Sequence, residues 1–287
     1  MEASYSQSPP TPSSSETLMA ALLAVPAAQL PSLARALGAD ARRLRCRLAF
    51  LLLSPPHFAR ALARLRSMPL PAKAKLLGRV LLRSLLLLLP GLCPEGYGGG
   101  SLHHLHLPHP DLDAALLLLA MCDSYSPAAS SPSPVDWRAV IVDDVVASAL
   151  SVSGLGATPW AALAPYVDAA AKCRRFADVV SEDRAAVGGI GKEGEGSRGA
   201  SYAAVLALPP VAGDGAPCAI CREEMAPGPR GVCALRPCGH RFHWHCALRW
   251  LARRNTCPCC RAELPSEDPV AETRRLWRAV ERMARGG

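Results

Sequence analysis

Between residues 218 and 260 eight of the eleven cysteines and histidines fall at spacings that point to bound cations. Cys218 and Cys221 form a C-x-x-C pair. After sixteen intervening residues Cys238 and His240 flank one glycine, His243 and Cys246 follow as H-x-x-C, and Cys257 with Cys260 close the series as a second C-x-x-C. Two ligands separated by two residues can chelate one ion across a tight turn, and thiolate sulfur with imidazole nitrogen suits tetrahedral zinc. Eight ligands are enough for two four-coordinate sites, and a site filled by four protein ligands is structural rather than catalytic. A short stretch with few apolar residues depends on such staples to fold, and zinc can supply on the order of 10–16 kcal/mol of apparent folding free energy. Residues 217–262 are therefore expected to be unfolded without the metal.

A disulfide framework fits less well, because histidines interleave with the cysteines and the N-terminal text MEASYSQSPPTPSSSE lacks the basic-then-apolar order of a secretory signal. The most apolar stretch, Leu76–Leu89, is interrupted by Arg79 and Arg83, and the uncharged run Ser84–Pro94 is short of the ~20 residues of a membrane span. These features predict an intracellular protein, cytoplasmic or nuclear, neither secreted nor membrane-spanning. The net charge of +8 raises nucleic acid as a partner. The arginines, however, are scattered through helical text (Arg42, Arg43, Arg45, Arg47, Arg60, Arg64 and Arg66), which reads as solvated helix faces, and no nucleic-acid motif accompanies them.

Leucine and alanine dominate the apolar fraction and aromatics make up only 5%, which predicts a mostly α N-terminal domain. Residues 1–16 read as a disordered Ser/Pro-rich tail and 17–181 as the helical domain, with 182–216 as a Gly/Glu/Ser-rich linker. The zinc-binding module spans 217–263, and 264–287 form a basic C-terminal helix. Within the helical domain Ser15 or Thr17 is expected to cap the first helix, Gly38 to end the second and Asp40 to start the third. Pro55–Pro56 and Pro69–Pro71 are expected to break later helices, and helical text resumes at 111–122, 135–151 and 159–181. In the C-terminal helix Ser266 is the expected cap, with Val270, Leu276, Trp277, Val280 and Met283 on one apolar side that packs on the zinc module or on a second copy.

The order of the eight ligands resembles the two-histidine RING fingers at every ligand position: a C-x-x-C knuckle, a long loop, C-x-H, H-x-x-C, a spacer and C-x-x-C. The resemblance covers about residues 216–263. It implies a cross-brace, in which Cys218, Cys221, His243 and Cys246 hold one zinc while Cys238, His240, Cys257 and Cys260 hold the second, around a short β-hairpin and a helix. It also implies a RING-type ubiquitin ligase, with a ubiquitin-conjugating enzyme, ubiquitin and a substrate protein as partners. Ile220 inside the first knuckle, Trp250 four residues after Cys246 and Pro258 after Cys257 match the family's apolar surface for the conjugating enzyme. Arg261, just past the last ligand, matches the cation that touches both that enzyme and its ubiquitin, for which a planar, multi-donor guanidinium is well shaped. Catalysis would then be by orientation. A non-catalytic RING adaptor and a zinc-dependent nucleic-acid-binding protein are the alternatives.

Several other residues resemble ligands without fitting the pattern. Cys259 competes with Cys260 as partner to Cys257, and the two-residue spacing favours Cys260. Cys233 reads as a free thiol in the long loop, and His245 sits beside the slot filled by Cys246. The histidines at 103, 104, 106 and 109 lie in a Gly/Pro-rich loop without a cysteine knuckle. Cys46, Cys93, Cys122 and Cys173 lack ligand spacing and read as ordinary buried or loop cysteines.

Overall fold

A computed structural model describes residues 12–92, 107–125, 135–152, 159–187 and 199–286. The tail up to residue 11, the loop with Cys93 and the histidines at 103, 104 and 106, most of the Ser/Pro loop before 135, and positions 188–198 of the expected linker lie outside the described residues.

The Leu/Ala-rich half forms helices α1 (Ser14–Leu23), α2 (Leu30–Leu53), α3 (Pro55–Ser67), α4 (Leu70–Leu92), α5 (His109–Asp123), α6 (Trp137–Val152) and α7 (Pro159–Val187). The first begins earlier than expected, inside the stretch read as a tail, and its cap is Ser13 rather than Ser15 or Thr17. Ser13 and Glu16 satisfy each other's backbone N–H groups, at 3.2 and 2.6 Å, in a capping box. Pro55 sits in the first turn of α3, where a missing N–H costs nothing.

Gly38 does not end a helix and Asp40 does not start one, because α2 runs through both. Asp40 is 1% exposed. Its carboxylate accepts from Arg83 of α4 and from Arg43 at 2.9 Å, and the Tyr166 hydroxyl of α7 lies 3.4 Å away while donating to the Leu37 carbonyl at 2.6 Å. A carboxylate held by partners from two other helices is a tertiary fixture rather than a cap. The glycine's helix penalty of about 1 kcal/mol is small beside the burial of Leu33, Leu37, Leu51 and Leu52 on the same helix.

Two apolar clusters hold these helices together. One gathers Leu18, Leu22, Leu37, Leu85, Leu88 and Tyr166, and the other Phe58, Leu65, Leu76, Leu117 and Ile141. Cys173 is buried, as expected of an ordinary core cysteine, but Cys46 and Cys122 stand exposed on helix surfaces.

The second half builds the small unit. Positions 182–187 of the expected linker continue α7, and 200–216 carry α8 (Tyr202–Leu206) and β1 (Pro210–Gly213). Strands β2 (Gly228–Ala234) and β3 (Arg241–His243) complete an antiparallel sheet in the order β1-β2-β3, with Val211 opposite Val232 and Cys233 opposite Phe242. Helix α9 (Trp244–Leu251) follows directly. A Cβ on Gly213 would stand 2.1 Å from the Ala226 carbonyl oxygen, so the approach of β1 to the first knuckle admits only glycine there. The core of this unit contains Leu208, Met225, Val232, Leu235, Phe242, Leu251 and Leu264.

The last helix, α10 (Pro269–Ala284), is capped by Asp268, whose side chain accepts from Val270 N, and not by Ser266. It occupies neither expected seat. It packs against α1, α4 and α7, and Leu276, Trp277 and Val280 enter the first helical cluster. The chain thus leaves the helical bundle, folds the small unit and returns to complete the bundle. Backbone bonds tie the junction: Ala200 N donates to Leu251 O at 2.8 Å and Ser201 N to Pro265 O at 2.7 Å. Buried Glu272 accepts from Ser266 N at 2.9 Å and from Arg275.

Candidate metal centres and partner surface

The fold gathers the eight predicted ligands into two groups of four. Cys218, Cys221, His243 and Cys246 form one, Cys238, His240, Cys257 and Cys260 the other, with the ligand atoms of each group within 4.8 Å of one another. Members of the two groups alternate along the chain, so the units are cross-braced. Both histidines turn Nδ1 toward sulfur: His243 Nδ1 lies 3.4 Å from Cys221 Sγ, and His240 Nδ1 lies 3.7 Å from Cys257 Sγ.

The two C-x-x-C knuckles are structural twins. In the first, Cys218 N donates to Glu223 O and Arg222 N to Cys218 O, at 2.8 and 2.7 Å; in the second, Cys257 N donates to Ala262 O and Arg261 N to Cys257 O, at 2.8 and 2.9 Å. Each turn closes on an arginine in the left-handed region, Arg222 at φ 66° and Arg261 at φ 59°, a conformation that costs a side-chain-bearing residue roughly 1 kcal/mol.

The electrostatics of the first group call for a cation. Burial works against a thiolate at Cys218, but backbone N–H groups of Cys221, His243 and Ile220 outweigh it and hold that thiol at about 6. Cys246 is pushed the other way, to about 12, by burial and then by the neighbouring Cys221 and Cys218 sulfurs. In the second group burial, followed by Cys257 and Cys260, raises Cys238 to about 11 against the His240 N–H. Sulfurs packed this closely cannot all shed protons unless a cation lies among them, and a bound dication deprotonates coordinating thiols outright. Neither group includes a carboxylate or an open fourth position. Two structural zinc ions fit these sets.

The competing residues sort by geometry. Cys260 joins the second group and Cys259, exposed, does not. Cys233 is a free thiol but not a loop residue: it is wholly buried in β2, and burial first, then the Cys218 thiolate, raises it to about 11. The strand was hidden in a stretch punctuated by glycine and proline. His245 is exposed and stacks on His243, ring centroids 5.4 Å apart. His109 lies in the first turn of α5.

Of the residues expected to form a partner surface, Ile220 and Trp250 are half-buried at the edge of the small unit's core. The Trp250 indole N–H donates to Thr256 O at 2.7 Å, which pins α9 against the second knuckle, and Cys246 lies within α9. Pro258 is half-buried and Arg261 exposed. Leu248 is 43% exposed on the outer side of α9.

The Ring finger domain family matches residues 216–261. Over 272 residues the chain is 35% identical to "E3 ubiquitin-protein ligase SGR9, amyloplastic" of Arabidopsis thaliana, covering 91% of this chain and 93% of that protein. Shorter matches include the E3 ubiquitin-protein ligase RNF181 homolog of Drosophila melanogaster, 42% identical over 64 residues (22% of this chain, 42% of that one). Another is the E3 ubiquitin-protein ligase RING1-like of Arabidopsis thaliana, 46% identical over 57 residues (20% and 17%). No solved structure matches the chain.

Proposed function

The chain belongs to the RING-type E3 ubiquitin-protein ligases, and we propose that it works by binding a ubiquitin-loaded conjugating enzyme and presenting the thioester to a substrate lysine. The lysine amine attacks the thioester carbonyl on the conjugating enzyme's cysteine, an isopeptide bond forms and the thiolate leaves. The ligase contributes no nucleophile. Its part is orientation, which removes an entropic share of the barrier. Zinc, when bound, supplies rigidity to the two knuckles.

Ile220, Trp250 and Pro258 form the apolar seat for the conjugating enzyme. Arg261 is the bridge to ubiquitin. The observation that carries this reading is the Trp250–Thr256 hydrogen bond: it fixes a half-buried indole, a frequent interface anchor, beside the knuckle that ends in Arg261. Support for Arg261 comes from its exposure and from the backbone bond to Cys257 O that sets where its side chain starts.

Among the described residues no helix is long and apolar enough to cross a membrane. The relative's name carries the word amyloplastic, and residence at that organelle is the location to check with a fluorescently tagged chain.

Binding to free and stably loaded conjugating enzymes tests the assignment across a panel of such enzymes. Ile220→Ala weakens both forms about tenfold, equivalent to about 1.4 kcal/mol, whereas Arg261→Ala weakens the loaded form more than the free one. A folded, zinc-replete chain that binds no member of the panel in either form contradicts the reading.

A further inference from the structure

The outer side of α2 carries Ala36, Ala39, Arg43, Cys46, Phe50 and Leu53, at alternating spacings of three and four residues, and all six are exposed. That spacing draws a straight seam along a helix. Small side chains occupy one end of the seam, and Phe50 and Leu53, 42% and 80% exposed, occupy the other. Leu87 of α4 faces the seam across an open groove of about 800 Å³.

The charge along this groove is of one sign. Arg42, Arg43 and Arg47 line it, with no acidic residue among the lining side chains. Helix α2 carries five arginines against one acid, and α4 four basic residues against none. The one acid is Asp40, turned inward onto Arg83 and Arg43, where it offers solvent no counter-charge. Arg47 is held by Asp113 at 2.6 Å and lies 5.2 Å from the centre of the Phe50 ring. Arg43 keeps 72% of its side chain exposed, and Arg42 makes no ion pair among the described residues, so these two cations face an incoming ligand.

We propose that the α2/α4 groove is a docking site for an acidic amphipathic helix of a partner protein. A seam of heptad-like spacing, apolar but for Arg43, along a shallow open groove is a surface on which a second helix can lie, and the seam from 36 to 53 is about 26 Å long at 1.5 Å per residue, enough for roughly five helical turns. Aliphatic residues of the partner lie over Ala36, Ala39 and Cys46 and against Leu87 and Phe50, while its carboxylates meet Arg42 and Arg43. A lipid surface also favours basic and apolar residues together, but it gains most from large projecting apolar side chains, whereas Ala36, Ala39 and Cys46 are small and let a second helix approach closely. Binding at this site is independent of the RING surface and is measured without a conjugating enzyme.

The test selects a display library of random peptides on the full-length zinc-bound protein, with counter-selection on Ala39→Trp, which fills the groove from an exposed position. Enriched peptides are expected to carry aliphatic residues at three-four spacing flanked by Asp and Glu. Their affinity should fall at least about tenfold on Arg42→Glu, return with Arg42→Lys, and vanish on Ala39→Trp. Unchanged thermal unfolding and zinc content establish that each variant is folded. Failure to enrich any peptide over Ala39→Trp, or enrichment without acidic residues, overturns the proposal. Cosedimentation with phosphatidylglycerol vesicles that Arg42→Glu abolishes and Ala39→Trp does not, without selection of an acidic helix, overturns it in favour of a membrane surface.

Discussion

Replacing Trp277 with alanine removes an indole that is 2% exposed and that reaches the helical bundle from the far side of the RING. Its helix lies against α1, α4 and α7, and the Arg174 guanidinium stands 5.9 Å from the indole centre. Truncating a buried tryptophan costs about 3–5 kcal/mol, a large part of the roughly 5–15 kcal/mol that holds a domain folded. With a urea slope of about 2 kcal/mol per molar, the unfolding midpoint of the helical signal should fall by about 2 M. No α10 side chain belongs to the RING core, so the two zinc ions should be retained at the same chelator concentration as in the unaltered protein. Circular dichroism reports the helices and a chromogenic chelator the metal. A midpoint shift below about 0.5 M would refute the seating of α10 in the bundle, and zinc loss in step with the helical signal would place that helix on the RING instead.

Other perturbations separate the remaining features. Arg222→Gly should stabilise the metal-bound RING by up to about 1 kcal/mol, because φ 66° is a conformation glycine adopts freely; a lower midpoint of zinc release with chelator would count against the strain. Asp40→Ala leaves Arg83 without its buried counter-charge and should cost about 3 kcal/mol, with Asp40→Leu/Arg83→Met recovering part of the loss in the same urea assay. Equal damage in the single and double variants would remove the pair from the account of α2. Stripping zinc with a chelator should unfold 217–262 while the helical bundle persists, seen as loss of RING amide dispersion in NMR spectra with most far-ultraviolet ellipticity retained; a RING that stays dispersed without metal contradicts a zinc-dependent core.

The metal centres were legible because their determinants are local: C-x-x-C is a chelate turn, and the eight ligands carry their spacing with them. The identity of Cys260 over Cys259 followed from the same rule. Features set by distant partners were not legible. Asp40 resembles a helix start in its own neighbourhood, and only Arg83, 43 residues away, and Tyr166 give it a reason to lie mid-helix. The apolar side of α10 announced that the helix has a partner, but Leu276, Trp277 and Val280 make the same pattern whether the partner is the RING, a second copy or a bundle built by residues 14–187. The Ser13–Glu16 capping box was readable as S-x-x-E and was overlooked for later hydroxyls. Cys233 lies in the short GVCAL run, where Val232 to Leu235 are all buried and no alternation marks a strand; its strand is set by pairing with Val211 and Phe242 on other strands.

Single-turnover discharge of ubiquitin from a loaded conjugating enzyme onto free lysine tests the central claim most directly. Across a panel of conjugating enzymes the zinc-bound chain should accelerate discharge by at least one of them, and both Ile220→Ala and Arg261→Ala should slow it at unchanged zinc content, by about tenfold each. No acceleration with any member of the panel, by a folded chain holding two zinc ions, would contradict it.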